Sequence, residues 1–328
     1  MKKTVIAMGL MMAMSPAFAV MNGEATSEAS FVQVGSNCSG SVVGGKWVIT
    51  AAHCGDMAGR IATTPSGERV EIIRSISHPL YDANVSRIYD VQLLELNKRI
   101  KSALVSDTQP ITGSIQSIAG WSGGALKKAT VEAIGAVNPM FSEDAYELIY
   151  DPANNRGTGV TQPGDSGGPC YNENGVWGVI HGAGGQGDGT YLQSCQGVYN
   201  LNTRAWVLET ISGWAYPAEV KGEGSQTITF QNLNSNSESF APYTEGNITL
   251  ESNSCSTGVV EPFGVCRITV TGSGKVHLNN EDVIEVNKQV TPPTPEPEQN
   301  GGGGGGGSTG PLGLAALAFM ALVRRFKI

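Results

Sequence analysis

The sequence predicts an all-β protein, and three features of its 328 residues support that prediction. Charged residues make up only 15% of the chain, glycine is abundant at 44 residues, and the apolar runs are short and separated by Gly, Asn, Asp and Ser. Strands at this spacing are typical of β-sandwiches and β-barrels. Hydrophobic residues make up 40%, which is enough to bury a core, and the length suits two domains with appendages.

The first 19 residues have the composition of an export signal, and we interpret them as a signal peptide. Two lysines precede an apolar run at residues 5–14, and Ala17-Phe18-Ala19 supplies the small residues that signal peptidase requires. The apolar run is too short to cross a membrane comfortably. We expect cleavage after Ala19, which leaves Val20 as the new N-terminus. The alternative is a cut elsewhere, with Val20 an ordinary early residue.

Residues 20–215 are predicted to form the first domain. They contain strand-like apolar runs, of which residues 41–52 are an example, bounded by turn-forming residues. Apolar positions at helical spacing predict a closing helix at residues 205–214.

Residues 222–289 are predicted to form a second, smaller domain. Short runs of mixed apolar and polar residues favour a small, immunoglobulin-like β-sandwich, linked by a disulfide between Cys255 and Cys266. This domain carries no catalytic constellation. Its one histidine, His277, stands alone in a strand-like run, so we interpret it as structural.

The C-terminal residues form two further segments. Residues 290–310 are rich in Pro and Glu and then in Gly, which predicts a linker. Residues 311–328 are an apolar segment that ends in a basic cluster. The apolar part is short for a membrane span, which needs about 20 residues, but the Gly and Thr before it could extend it. Basic residues tend to stay on the cytoplasmic side, so we expect this end to stay there.

Charge and cysteine content exclude some function classes. The formal net charge is −8 although both chain ends are basic, and a protein this acidic has no electrostatic reason to bind nucleic acid. An even number of cysteines, six, behind an export signal predicts disulfides. With no CxxC pair and no histidine cluster, we expect no zinc or other metal site.

Two motifs carry the chemistry. Residues 50–54 are Thr-Ala-Ala-His-Cys, and residues 164–169 are Gly-Asp-Ser-Gly-Gly-Pro. Together and in this order they resemble the trypsin-like (chymotrypsin-fold) serine proteases, over residues 20–215. The resemblance implies a double β-barrel and an endopeptidase that works through an acyl-enzyme without a cofactor. In such an enzyme Ser166 is the nucleophile, and His53 is the base that later protonates the leaving amine.

The family also requires a buried aspartate between these two residues in the chain. Asp90 fits, because it stands at the start of a mostly apolar run, as the family's aspartate does. Asp82 is the competing candidate, but it lies in a predicted turn. His78 matches a family surface turn and is therefore interpreted as structural.

The resemblance extends to the oxyanion hole and to activation. It implies that the backbone N–H groups of Gly164 and Ser166 form the oxyanion hole. The sequence Val-Met-Asn-Gly from Val20 is similar to the activated N-terminus of the family, whose free amine pairs with the aspartate before the nucleophile, here Asp165. If signal peptidase cuts after Ala19, export itself makes the activating amine.

The resemblance also bears on the disulfides of the first domain. Cys38 and Cys54 have the family's spacing for the disulfide beside the catalytic histidine. The family usually has a cysteine four residues before the nucleophile, where this chain has Gln162. By elimination, we predict that Cys170 pairs with Cys195.

Substrate choice is predicted from the residues that match the family's main specificity pocket. Its base maps onto Val160, followed by Thr161, and an Asp at that base would select Arg or Lys. The substrate-binding strand maps onto His181-Gly182-Ala183, and the pocket wall onto Gly197. An uncharged pocket predicts an apolar side chain before the cut bond, the P1 position. Asp188 in the following loop is the alternative, favouring a cation.

His181 and the glycine after it stand where the family usually has Ser and Trp. Two readings of His181 stay open at the level of sequence. It contacts Asp90, or it is only a strand residue.

The C-terminal segment resembles the GlyGly-CTERM sorting signal of Gram-negative bacteria, with its Gly run, apolar stretch and basic end. That resemblance implies transient membrane anchoring, cleavage by a rhomboid-like sorting protease, and type II secretion through the periplasm to the cell surface or medium. The alternative is a permanent anchor.

The rival function is a surface-binding protein whose protease domain is inactive.

Overall fold

Strands joined by tight turns dominate the described part of the chain, as the glycine-rich, weakly charged sequence predicts. The computed structural model describes residues 19–84, 88–136, 145–279 and 282–288. Together these described residues form one compact unit. The all-β prediction is confirmed, and so is the double barrel, because two rings of six strands close on themselves beside a further sheet.

The first ring closes in the order β2-β3-β4-β7-β6-β5 around a core of Val, Ile and Leu side chains. The predicted run at residues 41–52 is two strands rather than one, because Gly44 and Gly45 both adopt positive φ and turn the chain back. The strands that precede the second ring are β1 (Glu24–Ala25), β2 (Phe31–Val34), β3 (Cys38–Val43), β4 (Trp47–Thr50), β5 (Ile61–Thr63), β6 (Arg69–Ser77) and β7 (Gln92–Leu96).

The second ring closes in the order β8-β9-β10-β13-β12-β11, with β1 added at the edge of β9. Its core packs around the fully buried Trp177 and Tyr146, whose rings meet edge to face. The strands of this ring are β8 (Ile115–Gly120), β9 (Lys127–Ala136), β10 (Ala145–Tyr150), β11 (Pro169–Asn172), β12 (Gly175–Gly185) and β13 (Tyr191–Gly197).

One α-helix, α1 (Leu201–Ile211), follows the second ring in the described part of the chain. The predicted bounds, residues 205–214, are wrong at both ends. The helix begins earlier because Asn200 caps it, with Oδ1 accepting the N–H of Asn202 at 2.9 Å. It ends at Ile211 because Ser212 takes a left-handed conformation. Three short 3-10 turns are Ala52–Cys54, Ser122–Gly124 and Pro152–Asn154.

The third sheet has one long central strand, β18. Strand β17 pairs along most of β18, while β16 pairs with its first half and β19 with its second. Both halves contribute side chains to a single core, as a small sandwich requires. Its strands are β14 (Gly213–Ala215), β15 (Glu219–Val220), β16 (Gln226–Leu233), β17 (Tyr243–Asn253), β18 (Val265–His277) and β19 (Val283–Val286). The predicted division into two domains stays a prediction, and β14 already belongs to this sheet.

The third sheet interlocks with the barrels through buried polar and apolar contacts. Gln231 of β16 is buried, and its amide bonds both backbone groups of Val105, at 2.9 and 2.7 Å, and the carbonyl of Phe263. Leu233 and Phe263 join the core that contains Trp206 of α1. The chain segment between the two rings, which contains Val105, is therefore anchored to the third sheet.

The three disulfides pair as predicted, joining Cys38 to Cys54, Cys170 to Cys195 and Cys255 to Cys266. The described residues contain no helix that is long and apolar enough to cross a membrane. The predicted signal peptide up to Phe18, the linker and the apolar C-terminal segment lie outside the described residues.

Candidate active site

His53 and Asp90 are brought together by the pairing of β4 with β7. His53 lies on the 3-10 turn just after β4, and Asp90 lies two residues before β7, whose first residue pairs with the last of β4. The amide of Gln92 donates to the carbonyls of Ala51 and Gly55 at 2.9 and 3.1 Å, which fastens the histidine turn to β7. The sheet register therefore determines where the imidazole stands.

The carboxylate of Asp90 is fully buried and both of its oxygens face His53. Oδ1 accepts the backbone N–H of His53 at 2.7 Å, and Oδ2 lies 2.5 Å from its Nδ1. A buried carboxylate in this position fixes the ring orientation and leaves the second ring nitrogen directed away from it. Asp82, the competing candidate, is exposed in a turn, where its Oδ1 accepts the N–H of Asn84.

Ser166 lies on a tight loop that ends at β11. The loop is held from both sides, because the Ser166 carbonyl accepts the N–H of Ser39 at 2.8 Å and the N–H of Gly167 donates to Ile180 at 2.8 Å. Gly167 has a φ of +77°, and a Cβ there would lie 1.9 Å from Oγ1 of Thr50. Only glycine fits at that point. His53 and Ser166 line the same cavity, of about 410 Å³.

Gly164, two residues before Ser166, has a φ of +103°, again a conformation that favours glycine. The turn is closed by hydrogen bonds from Asp165 N–H to the Gln162 carbonyl and from Gly168 N–H to the Asp165 carbonyl, both 2.9 Å. Such a turn can direct successive backbone N–H groups toward one point. The two predicted oxyanion donors, Gly164 and Ser166, thus stand on one closed turn.

Asp165 points inward, away from the cavity, and is fully buried. Three backbone N–H groups donate to it: Ser122 to Oδ1 at 2.9 Å, and Gln162 and Val20 to Oδ2 at 2.7 and 3.0 Å. Burial raises the pKa of the Asp165 carboxyl, and these hydrogen bonds oppose that rise. Val20 is itself fully buried in the core of the second ring. The predicted partners of the activation pair are therefore in contact.

Val160 and Thr161, the predicted pocket base, form part of the same network. Met21 exchanges two backbone hydrogen bonds with Val160, at 2.8 and 3.1 Å. The Gln193 amide accepts the N–H of Thr161 at 2.8 Å and donates to the Gly159 carbonyl at 3.3 Å. The N-terminal segment and the pocket base are therefore ordered together.

The predicted substrate strand, His181-Gly182-Ala183, lies in β12 beyond the point where β11 ends its pairing. Strand β13 pairs with one edge of this segment, through Gly182 with Ser194 and Ala183 with Gln193. Strand β11 pairs with β12 only as far as Val179. No strand of the described residues pairs with the other edge of Gly182 and Ala183, and such an edge is suited to add an extended peptide by main-chain hydrogen bonds.

The two remaining specificity residues lie at opposite ends of the β12–β13 hairpin. Gly197 stands at the end of β13, where a Cβ would lie 2.2 Å from the ring of Tyr199, so glycine makes room for that ring. Asp188 is exposed near the tip, where its Oδ1 accepts the N–H of Thr190 at 2.9 Å. That hydrogen bond lowers the pKa of the Asp188 carboxyl.

The other three histidines have clear neighbours. His181 places Nε2 3.6 Å from Oδ2 of Asp90, so the contact that the sequence left open is present. His78 is buried rather than at the surface, stacked 4.6 Å from the ring of Tyr89. His277 stacks on Tyr243 and lies 3.0 Å from Glu245.

Two polar residues near this site were missed at the level of sequence. Ser39 donates its hydroxyl to the Gly164 carbonyl and accepts the N–H of Trp121, both at 2.9 Å, so it fastens the nucleophile loop to the first ring. Gln193 bonds the backbone of Gly159 and Thr161, which flank Val160, the predicted pocket base. Neither belongs to a motif, and each strand contains further polar residues, Ser41 in β3 and Ser194 and Gln196 in β13, so no sequence signal distinguishes these two. In the described part of the chain, no group of three His, Cys, Asp or Glu side chains could hold a metal ion.

A double β-barrel whose cleft joins a His–Asp pair to a serine on a glycine-rich loop defines the serine protease class. Comparison with known proteins identifies the family. The family model described as Trypsin matches residues 20–207, which is more than half of the chain. The chain therefore belongs to the trypsin family and is a serine protease.

Individual relatives share modest sequence identity with this chain, in several cases over only part of its length. Human Serine protease 1 is 27% identical over 206 residues, which cover 53% of this chain and 80% of that protein. Human Kallikrein-8 is 31% identical over 26% of this chain and 38% of its own length, and trypsin of Simulium vittatum is 39% identical over 20% and 29%. Among solved structures, the secreted serine protease VesC from Vibrio cholerae is 18% identical with a TM-score of 0.47, covering 80% of this chain and 71% of VesC.

Proposed function

We propose that this protein is a secreted serine endopeptidase that cleaves protein or peptide substrates through an acyl-enzyme, with His53, Asp90 and Ser166 as its catalytic triad. One observation carries the proposal. The imidazole of His53 is held by the buried Asp90 carboxylate, with Nδ1 2.5 Å from Oδ2, and it lines the same cavity as Ser166.

In this mechanism Ser166 Oγ attacks the substrate carbonyl carbon while His53 Nε2 takes the hydroxyl proton. The imidazolium then gives that proton to the leaving amine, and water repeats the sequence to release the acyl group. Asp90 remains ionised and stabilises the imidazolium. Its complete burial supports this role, because a charge partner acts more strongly where water is excluded.

The oxyanion of the tetrahedral intermediate would be bound by the N–H groups of Gly164 and Ser166. Loss of one such donor typically lowers the rate about 100- to 1,000-fold. Gly164 and Gly167, which both have positive φ angles, allow the tight turn that carries these donors. The hydrogen bonds of the Ser39 hydroxyl to Gly164 and Trp121 hold that turn in place before substrate arrives. A donor that is already oriented needs no reorganisation in the transition state.

The Val20 contact supports the proposal that export activates the enzyme. When the bond after Ala19 is cut, the new amine of Val20 stands where its backbone nitrogen already lies 3.0 Å from Asp165. A positive charge there would offset the burial of the Asp165 carboxylate. No separate propeptide is required in this scheme.

The specificity proposal is an apolar P1 side chain. Val160 supplies no charge at the pocket base, and Asp188 is exposed near the hairpin tip and engaged with Thr190. The extended substrate would lie along His181-Gly182-Ala183, with Gly197 at the pocket wall.

We further propose that the GlyGly-CTERM-like tail anchors the protein transiently until a rhomboid-like protease removes it, and that type II secretion delivers it from the periplasm to the surface or medium.

The test uses the full chain expressed with its own signal peptide, recovered and incubated with a proteome-derived peptide library. Ser166→Ala is the matched control. N-terminal sequencing of the recovered protein is expected to give Val20, and cleavage is expected only with the native serine. Equal cleavage by both forms, or none by a form that begins at Val20, would favour the rival reading of an inactive surface-binding protein.

A further inference from the structure

A second imidazole faces the carboxylate of the proposed triad. His181 stands on β12, and its Nε2 lies 3.6 Å from Oδ2 of Asp90, the same oxygen that is 2.5 Å from Nδ1 of His53. The two imidazole rings are 6.0 Å apart at a tilt of 55°. One buried carboxylate thus lies between two histidines.

The neighbours of His181 include residues of both rings. Asp90 and His53 face it from the first ring, and on β13 the hydroxyl of Ser194 lies 3.3 Å from Nδ1. Of these groups Asp90 and His53 can carry charge. The side chain of His181 is about one-fifth exposed, so protons can reach it from solvent, whereas Asp90 is fully buried.

We propose that His181 is a positioning residue for the triad and that its protonation switches the enzyme off in acid. The inference rests on the proposed function. When His181 is neutral, an N–H at Nε2 can point at Oδ2 and help to hold the carboxylate toward His53. When it is protonated, its positive charge competes for the carboxylate that the His53 imidazolium needs during catalysis.

Two coupled histidines give a measurable signature. If protonation of either ring abolishes activity, the activity falls with the square of the proton concentration once the pH is below both titrations, a 100-fold loss per pH unit. A single catalytic histidine gives a tenfold loss per unit. If His181 were only a structural strand residue, replacing it would not change the number of protons whose binding inactivates the enzyme.

The first experiment is the acid limb of kcat/KM for the full, processed protein, measured where circular dichroism shows the fold intact. Wild type is expected to reach the 100-fold slope. His181→Gln, which keeps a hydrogen-bond donor without titrating, is expected to give the tenfold slope while retaining more neutral-pH activity than His181→Ala, which has no donor. A tenfold slope in wild type that superimposes on both variants would overturn the proposal.

A second measurement separates this inference from the proposed function. The imidazole resonances of His53 are followed by NMR against pH in full-chain Ser166→Ala, with and without His181→Gln. Coupling through Asp90 is expected to make the pH dependence of the His53 resonances differ between the two proteins. Superimposable His53 titrations would refute the coupling even if wild type cleaves peptides, and a shift would support it even if wild type does not.

Discussion

The backbone nitrogen of Val20 lies 3.0 Å from Oδ2 of Asp165, although 145 positions separate the two residues in the chain. The same carboxylate accepts the N–H of Ser122 and of Gln162, next to the proposed oxyanion loop. One buried side chain thus connects the start of the protease domain to the segment that carries Ser166.

Asp165→Asn is expected to lower kcat/KM of the processed enzyme by about 100-fold or more. Removing one partner of a buried ion pair typically costs about 3–5 kcal/mol, and about 1.4 kcal/mol corresponds to a factor of ten. Steady-state kinetics on one apolar-P1 peptide provides the measurement. Asp188→Asn, at an exposed aspartate, is the matched control. Similar losses in both variants would argue against the activation pair.

Asp90→Asn is expected to lower kcat by about 10⁴ near neutral pH while the fold is retained, because an amide at this position stabilises the wrong tautomer of the histidine. Single-turnover and steady-state rates measure the loss, and circular dichroism reports the fold. Asp82→Asn, in the exposed turn, should leave the rate within a factor of two. A large loss in the Asp82 variant instead would move the triad assignment.

His78 is expected to make the protein less stable in acid. Burial lowers the pKa of His78 below its usual value of 6.5, so the unfolded chain takes up a proton that the folded protein excludes. Stability therefore falls as pH drops through about 6.5 and onward to the lowered pKa. His78→Phe, which keeps a ring against Tyr89, should lose less stability than wild type between pH 7.5 and 5.5. Urea midpoints at the two pH values measure this, and equal losses would contradict it.

Val160→Asp is expected to introduce cleavage after Lys and Arg, because a carboxylate at the pocket base would pair with a cationic P1 side chain. Peptide-library profiling compares it with Val160→Asn, which has nearly the same shape and no charge. A gain of at least about tenfold in the ratio of cationic to apolar P1 cleavage is expected for Asp over Asn. Identical profiles in the two variants would place the pocket base elsewhere.

Gln231→Leu is expected to destabilise the whole protein by about 2–4 kcal/mol. The substitution leaves the buried backbone groups of Val105 and the carbonyl of Phe263 without the amide that now bonds them. Chemical denaturation of the full chain measures the change, with the exposed Gln109→Leu as control. Unchanged stability would show that the third sheet does not support the segment between the barrels.

Much of the fold could be predicted because strands and turns are encoded locally. Short apolar runs separated by Gly, Asn, Asp and Ser predicted a β-sandwich or β-barrel followed by a smaller β domain. The helix bounds were wrong because a cap at Asn200 and a left-handed Ser212 outweighed the apolar spacing. The run at residues 41–52 is a hairpin because two consecutive glycines reverse it.

The sequence by itself predicted the fold class through its composition and short apolar runs, and it indicated the family and the proposed triad through short motifs and an aspartate before an apolar run. All of these signals are local, because their residues lie within a few positions of one another. Only the tertiary structure decided that Val20 reaches Asp165, that His181 faces Asp90 and that Gln193 bonds the backbone on both sides of Val160. Those contacts join distant segments. They depend on how the strands register and close into rings, and no local pattern of residues specifies that closure.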